Sequence, residues 1–292
     1  MQPIVLAAGS RQGVRAAMEA VAPLAAETGA PVHLLGAHEP GWLDGSEAGA
    51  PFPVRVLPAT TPLAGAVARH ARRRGAKLVV YVPELRRGGG PVWLDPAAMA
   101  LASRVECAVL VLREGEPWPP EPARLPVGHA EARAGTVALA CRWLRALRGA
   151  ARDGDRLPWR LDVLHVARSA AEWHGTEAHL TGEAGIHAET GEIRRMSCMR
   201  FGAEPRRRVL DWLRTESGGL LVLGRPGALA AGGRDGEPPA DWLRVFADAR
   251  GSVLLLPARG PGGTALPGGD GRPPAWRRLA GWLRYRAVPV PR

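Results

Sequence analysis

Residues 219–233 read GLLVLGRPGALAAGG, and residues 240–260 read ADWLRVFADARGSVLLLPARG. The apolar run 220–223 enters Gly224-Arg225-Pro226-Gly227 without a polar break, as a fully buried strand does when it ends in a tight turn. A helical pattern over 240–249 follows, and then a second short apolar run, 252–256. Strand, glycine turn, helix, strand is a parallel βαβ unit. Its turn falls beyond the carboxyl end of a strand, where open α/β sheets take their ligands. Whether that turn still grips a phosphate is the central functional question.

Upstream the same grammar recurs. Residues 3–8 form a short apolar run closed by Gly9 and Ser10. Val14, Ala17, Met18, Val21, Leu24 and Ala25 then recur at three and four residues, an amphipathic helix over 11–28 closed by Gly29. Strands are predicted at 32–37, at 54–57 (edge-type, flanked by prolines), at 78–82 and at 107–112. Between them, one helix is capped by Thr60 or Thr61 and stops at Gly75, and another begins near Asp95. Residues 114–126 are proline-rich and read as a linker. Beyond it come a weak strand at 125–128, a helix over 134–151, a strand at 161–166, a long polar loop at 167–189, a strand at 193–199 and a helix over 204–216.

The order β-α-β-β-α-β-α-β, met twice, predicts an internal duplication. The expected architecture is α/β, with two tandem doubly wound parallel-sheet domains of flavodoxin-like layout packed as an intramolecular pair. Whether two chains associate further is left open. The boundaries are 1–115 for domain 1, 116–124 for the linker, 125–258 for domain 2 and 259–292 for a flexible basic tail.

The chain has 292 residues, 46% of them hydrophobic, enough for sizeable cores in two domains. No apolar run reaches membrane-spanning length and the first residues lack a basic signal region, so a cytoplasmic protein is expected. Cys107, Cys141 and Cys198 form no C-x-x-C pair and read as buried free thiols. The formal charge is +11, and the pI is near 11.1. Nucleic acid or an anionic surface is one reading of that charge. The other is compositional: Lys77 is the sole lysine among many arginines, alanines, glycines and prolines, the bias of a GC-rich genome. From residue 260 onward six arginines stand against one aspartate, and Trp276, Leu279, Ala280 and Leu283 recur at helical spacing. A short basic amphipathic helix of this kind touches an anionic partner or folds back on its own domain.

Three stretches resemble the universal stress protein family in its tandem form. Residues 105–113, VECAVLVLR, are similar to the family's closing strand A-P-C-P-V-L-V-V-R; Val222 to Gly227 is similar to its V-M-G-R-R-G turn; and Val163-Leu164-His165-Val166 is similar to its L-L-H-V strand. Leu6-Ala7-Ala8-Gly9-Ser10 is also similar to the opening V-D-G-S. The resemblance covers residues 1–258. It implies an adenine nucleotide alpha hydrolase-like fold whose halves pack through their last strands, near 109–112 and 253–256. It also implies ATP as the ligand of members that keep an aspartate after the first strand and a G-x-x-G, nine residues, G-S/T loop. Glycines let backbone N–H groups approach phosphate oxygens, and the helix N-terminus adds partial positive charge.

This chain departs from that pattern. Ala8 occupies the aspartate position in the first half, and Gly128-His129 lies there in the second. The first turn reads Tyr81-Val82-Pro83-Glu84, with Gly88, Gly89 and Gly90 out of place. The second keeps Gly224, Arg225 and Gly227, the candidate cofactor-binding residues, but nine residues on it has Glu237-Pro238. A carboxylate there repels a phosphate, and proline offers no donor. The expectation is a non-enzymatic regulatory or stress-response protein with decayed nucleotide sites. Its rivals are an ATP switch in the second domain and an adaptor acting through the basic tail.

No reaction is indicated. Ser10 and Ser252 lack a G-x-S-x-G elbow, and Cys107 beside a strand is expected to be buried and inert. Asp95 and Glu84 make a carboxylate pair or, more simply, Asp95 caps a helix. His174, Glu177, His179, Glu183, His187 and Glu189 crowd the 167–189 loop, yet match no metal-ligand spacing and read as a solvated loop. Ten tryptophans stand against three phenylalanines and two tyrosines; Trp143, Trp212 and Trp242 fall on predicted helices and are assigned to packing.

Overall fold

The computed structural model describes residues 2–36, 52–58, 63–83, 96–116, 118–128, 136–148, 159–166, 193–200, 219–224 and 251–257, together with most of 169–180. The first half runs β1 (Ile4–Ala8), α1 (Arg11–Thr28), β2 (Val32–Gly36), β3 (Val54–Pro58), α2 (Leu63–Arg74), β4 (Leu78–Val82), α3 (Pro96–Arg104) and β5 (Ala108–Val111). The second runs β6 (Ala123–Gly128), α4 (Thr136–Arg148), β7 (Trp159–Val166), β8 (Ile193–Arg200), β9 (Leu220–Leu223) and β10 (Val253–Leu255). The predicted helices over 204–216 and 240–249, the Thr60, Thr61 and Asp95 caps, Trp212, Trp242 and the tail lie outside the described residues.

The strands form a single ten-stranded sheet in the order β3-β2-β1-β4-β5-β10-β9-β6-β7-β8. Read outward from the middle, both halves run fifth, fourth, first, second, third strand. Every neighbouring pair is parallel except β5 with β10, which meet antiparallel with Leu254 opposite Leu110. The two last strands do pair, in the stretches the sequence reading proposed. The fold is α/β with a mostly parallel sheet.

Because the sheet is covered on both faces, its strands need apolar residues at consecutive positions, which is why they read as unbroken runs. Ile4, Leu6 and Ala8 of β1, with Leu110, Leu125, Val163, Val222 and Leu254, face one layer; Val5, Ala7, Val79, Val109, Leu221 and Val253 face the other. The first layer is closed by α1 and α4, which pack on each other across the junction of the halves. Val14, Ala17, Val21, Leu24 and Ala25 of α1 are buried there, as are Val137, Cys141, Trp143, Leu144 and Leu147 of α4. Each leucine so buried contributes about 2 kcal/mol. The second layer is closed by α2 and α3 through Val67, Ala68, Ala71, Ala98 and Leu101.

Local chemistry sets the ends of α1. The Ser10 hydroxyl accepts from the Gly13 N–H at 2.8 Å, and Gly29 closes the helix at φ 60°. Lys77 Nζ donates to Thr28 Oγ1 at 2.6 Å, and that hydroxyl donates to the Leu24 carbonyl, so a cation sits over the helix C-terminus.

Where the halves meet, Ser252 is a hub. Its N–H and hydroxyl both donate to Glu116 Oε2, at 2.9 and 2.6 Å, and its hydroxyl accepts from the Arg113 N–H at 3.1 Å. Gly219, at φ 88°, has no room for a side chain, since a Cβ would overlap the Pro122 carbonyl. A Cβ on Gly251 would likewise overlap the Gly219 carbonyl. Glycine at both positions lets β9 and β10 start side by side under the connector.

Three expectations are corrected. β6 begins at Ala123, inside the predicted linker, because Arg124 and Pro126 mask the inward alternation of Ala123, Leu125 and Val127. The 167–189 stretch is not all loop: residues within 170–180 are helical, and Trp173, Thr176 and Leu180 turn one face inward at three- and four-residue spacing. Cys107 is half-buried just before β5, not buried within it, while Cys141 is buried as expected. The side chain of Cys198 lies outside the described residues.

Candidate functional site

A doubly wound sheet leaves a crevice where its strand order reverses, at the carboxyl ends of the first and fourth strands of each half. In the first half this place is filled. β1 and β4 pair along their whole length, from Ile4↔Leu78 to Ala8↔Val82. Ala8, in the position where a carboxylate would hold a ligand, is fully buried among Val14, Val80 and Val82. Pro83 is buried beyond it. A Cβ on Gly13 would stand 3.0 Å from both Ser10 Oγ and Val82 Cγ1, so α1 lies close against the strand ends. The Ser10 hydroxyl, besides capping the helix, donates to Glu114 Oε1 at 2.5 Å. A carboxylate from the residue three beyond β5 therefore occupies the helix N-terminus that a phosphate would use.

The second half differs at the same place. β6 pairs with β9 only at Ala123↔Leu220 and Arg124↔Leu221, and its pairing with β7 continues to Gly128. The cause is in the sequence. The Leu220 N–H donates to the Pro122 carbonyl at 3.1 Å, so the even-numbered residues of β6 aim their backbone groups at β9. The next donor after Arg124 in that row belongs to Pro126, which has no N–H. The hydrogen-bonded ladder with β9 stops there, while Val127, Val222 and Leu223 at the strand ends stay buried. Of the candidate phosphate-binding residues, Gly224 is half-buried just after β9. Arg225 and Gly227, with Glu237 and His129, lie outside the described residues.

Beside the end of β6 stands His165, the histidine of the L-L-H-V stretch. It is fully buried, and both ring nitrogens are engaged: Nδ1 with the Val127 carbonyl at 3.2 Å and Nε2 with Thr176 Oγ1 at 2.9 Å. Trp173 stacks on the ring, centroids 5.4 Å apart. The imidazole thus ties the 170–180 helical residues to the end of β6. His174 and Glu177 on the same segment point to solvent and approach each other at 3.5 Å, and no metal-type cluster forms among the described residues. His179, Glu183, His187 and Glu189 lie outside them.

In the first half the second strand also carries a histidine, on the opposite face. His33 Nδ1 of β2 lies 2.9 Å from His70 Nε2 of α2, the rings edge to face. Burial is the main influence holding both imidazoles below the usual histidine pKa. After it come the mutual pair and Arg74 and Arg55 for His33, and Arg74, Arg55 and Arg73 for His70.

The two serines weighed as nucleophiles are structural: Ser10 caps α1, and Ser252 is buried at the junction. Glu84 and Asp95 lie outside the described residues. Sequence reasoning missed Glu114, His70 and Thr176. Glu114 meets Ser10 across 104 positions and His70 meets His33 across 37, separations that leave no local pattern. Thr176, eleven residues after His165, is legible once Trp173, Thr176 and Leu180 are seen as one helical face.

The mostly parallel α/β sheet matches the fold of universal stress proteins. No family model matches the chain, and no curated protein matches it. Among solved structures it is similar to a functionally unknown protein from Pseudomonas aeruginosa PAO1 (16% identity, 87% of this chain and 92% of that one, TM-score 0.59). It is similar also to a candidate universal stress protein from P. aeruginosa UCBPP-PA14 (15% identity, 87% and 93%, TM-score 0.60). A universal stress protein from Archaeoglobus fulgidus DSM 4304 gives 11% identity over 88% and 98%, with a TM-score of 0.53. At these identities the likeness is one of fold.

Proposed function

We propose that the chain is a non-enzymatic regulatory protein of the universal stress type, made of two tandem copies, whose first nucleotide crevice has been converted into core. The observation that carries this reading is the filled first crevice. Ala8 and Val82 are paired and buried, and the Ser10 hydroxyl, at the helix N-terminus, is taken by the Gly13 N–H and the Glu114 carboxylate. A nucleotide there would have to displace apolar core and approach a fixed negative charge. No described cluster combines a nucleophile, a base and an open face: Ser252, Thr176 and His165 are buried within structural hydrogen bonds.

A second reading is favoured by Gly224, half-buried directly after β9 and beyond the end of its ladder with β6. On that reading Gly224, Arg225 and Gly227 hold the phosphates of ATP, and the second half acts as a nucleotide switch. Thermal denaturation with magnesium and millimolar ATP separates the two. A ligand present at about 100 times its Kd stabilises by about 2.7 kcal/mol, easily seen as a rise in Tm. An unchanged Tm is the expected result. A rise abolished by Gly224→Val establishes the switch, and a rise that survives this substitution places the nucleotide in the first crevice and overturns the proposal.

A further inference from the structure

The outer end of the first half carries a group of charges that the crevices do not use. β3 is the edge strand, and Arg55 on it is the register partner of His33, so both side chains leave the sheet on the same side. Arg73 and Arg74 follow His70 by three and four residues and share its face of α2. The three arginines are exposed, and none of them forms an ion pair with a described carboxylate. Arg69 and Arg72, also exposed, extend the same helix surface, and α2 carries no acidic residue. β1, on the inner side of β2, brings only the apolar Val5 and Ala7 to this face.

Arginines in the last turn of a helix complement its dipole, and that accounts for one or two of them. It does not account for Arg55, on a different element, converging on the same histidine pair. Positive groups from two elements crowd two imidazoles with no counter-ion among the described residues, and an anion placed among them would relieve that repulsion.

We propose that this face, formed by Arg55, Arg73 and Arg74 around the His33–His70 pair, is a docking surface for the phosphate backbone of a nucleic acid. Planar guanidinium forks match phosphate oxygens in pairs, and the formal charge of +11 supplies long-range attraction. The surface lacks what a membrane site needs. Val56 is the one large apolar side chain exposed among the described residues, and no aromatic or leucine stands ready to enter lipid. Phosphates beside the pair also favour its protonated form, so binding takes up a proton and tightens as pH falls.

The test is fluorescence anisotropy of the full chain with a labelled mixed-sequence DNA duplex of roughly 20 base pairs, from about 50 to 200 mM salt. The expected result is binding whose affinity falls steeply with salt and rises between pH 7.5 and pH 6. The Arg55→Gln/Arg73→Gln/Arg74→Gln variant should weaken binding at least tenfold and flatten the log–log salt slope by about 2 to 3, near 0.9 per lost phosphate contact. His70→Gln should keep binding at pH 7.5 and lose the tightening at pH 6. These residues are exposed or half-buried, so the variants should fold, and a melting curve on each verifies it. Four results overturn the proposal. They are no binding at the lowest salt, an unchanged slope in the triple arginine variant, binding lost only when residues 260–292 are deleted, and binding to phosphatidylserine vesicles with none to the duplex.

Discussion

The two halves share one strand order yet pair their first and fourth strands over different lengths. In the first, five successive residue pairs zip β1 to β4, through to Ala8 and Val82, and a carboxylate rests on the helix N-terminus. In the second, two pairs join β6 to β9. One imino acid explains the difference: Pro126 stands where the ladder needs its next N–H. A fold common to both halves therefore does not give them the same strand pairing at the point where the order reverses.

The comparison can be broken most severely at the junction. Gly219→Ala must combine a φ of 88° with a Cβ that meets the Pro122 carbonyl. The expected loss is about 3 kcal/mol or more in urea denaturation, with β9 and β10 displaced together. A loss under about 1 kcal/mol would show that the start of β9 can shift freely.

A smaller effect sharpens the contrast between the crevices. Thr176→Val removes a buried hydrogen bond to His165 Nε2, at a cost of about 1–3 kcal/mol. Ser10→Ala removes a helix cap and the hydrogen bond to a half-exposed Glu114, at a cost of about 1 kcal/mol. Chemical denaturation of both variants should place Thr176→Val lower in stability. The reverse order would mean that the polar contact filling the first crevice matters more than the histidine tie beside the second.

The smallest effect is a pH dependence. His33 and His70 are held below the ordinary histidine value of 6.5, chiefly by burial, with Arg55, Arg73 and Arg74 adding repulsion. As pH falls through that value the unfolded chain takes up protons first, so the folded state loses stability. The contribution is complete above about pH 6.5 and declines below it. Stability measured from pH 7.5 to 5 should fall less steeply in His70→Gln than in the parent chain; an identical slope would acquit the pair.

The framework was legible because strands buried on both faces need apolar residues at consecutive positions. Runs such as LVVYV at 78–82 and the VLLL before Pro257 can be read without knowing what covers them. The pairing of the last strands came from the resemblance, and the register of Leu254 with Leu110 agrees with it. Less legible were features made by residues far apart. Ser10 gives no sign of Glu114, and His33 none of His70, because each contact is created by the sheet order itself. The helical residues after β7 were hidden differently: polar residues outnumber Trp173, Thr176 and Leu180, although those three make a continuous inner face. Pro126 was visible, but its effect depends on which neighbour its backbone addresses, and only the Leu220–Pro122 hydrogen bond fixes that.

The antiparallel meeting of β5 and β10 also sets the valence of the molecule. Each fifth strand, which alone would present an open row of donors and acceptors, is saturated by the other within one chain. Among the described residues the outermost strands are β3 and β8, at opposite extremes of the sheet, so the join that makes one sheet of two halves lies at its centre.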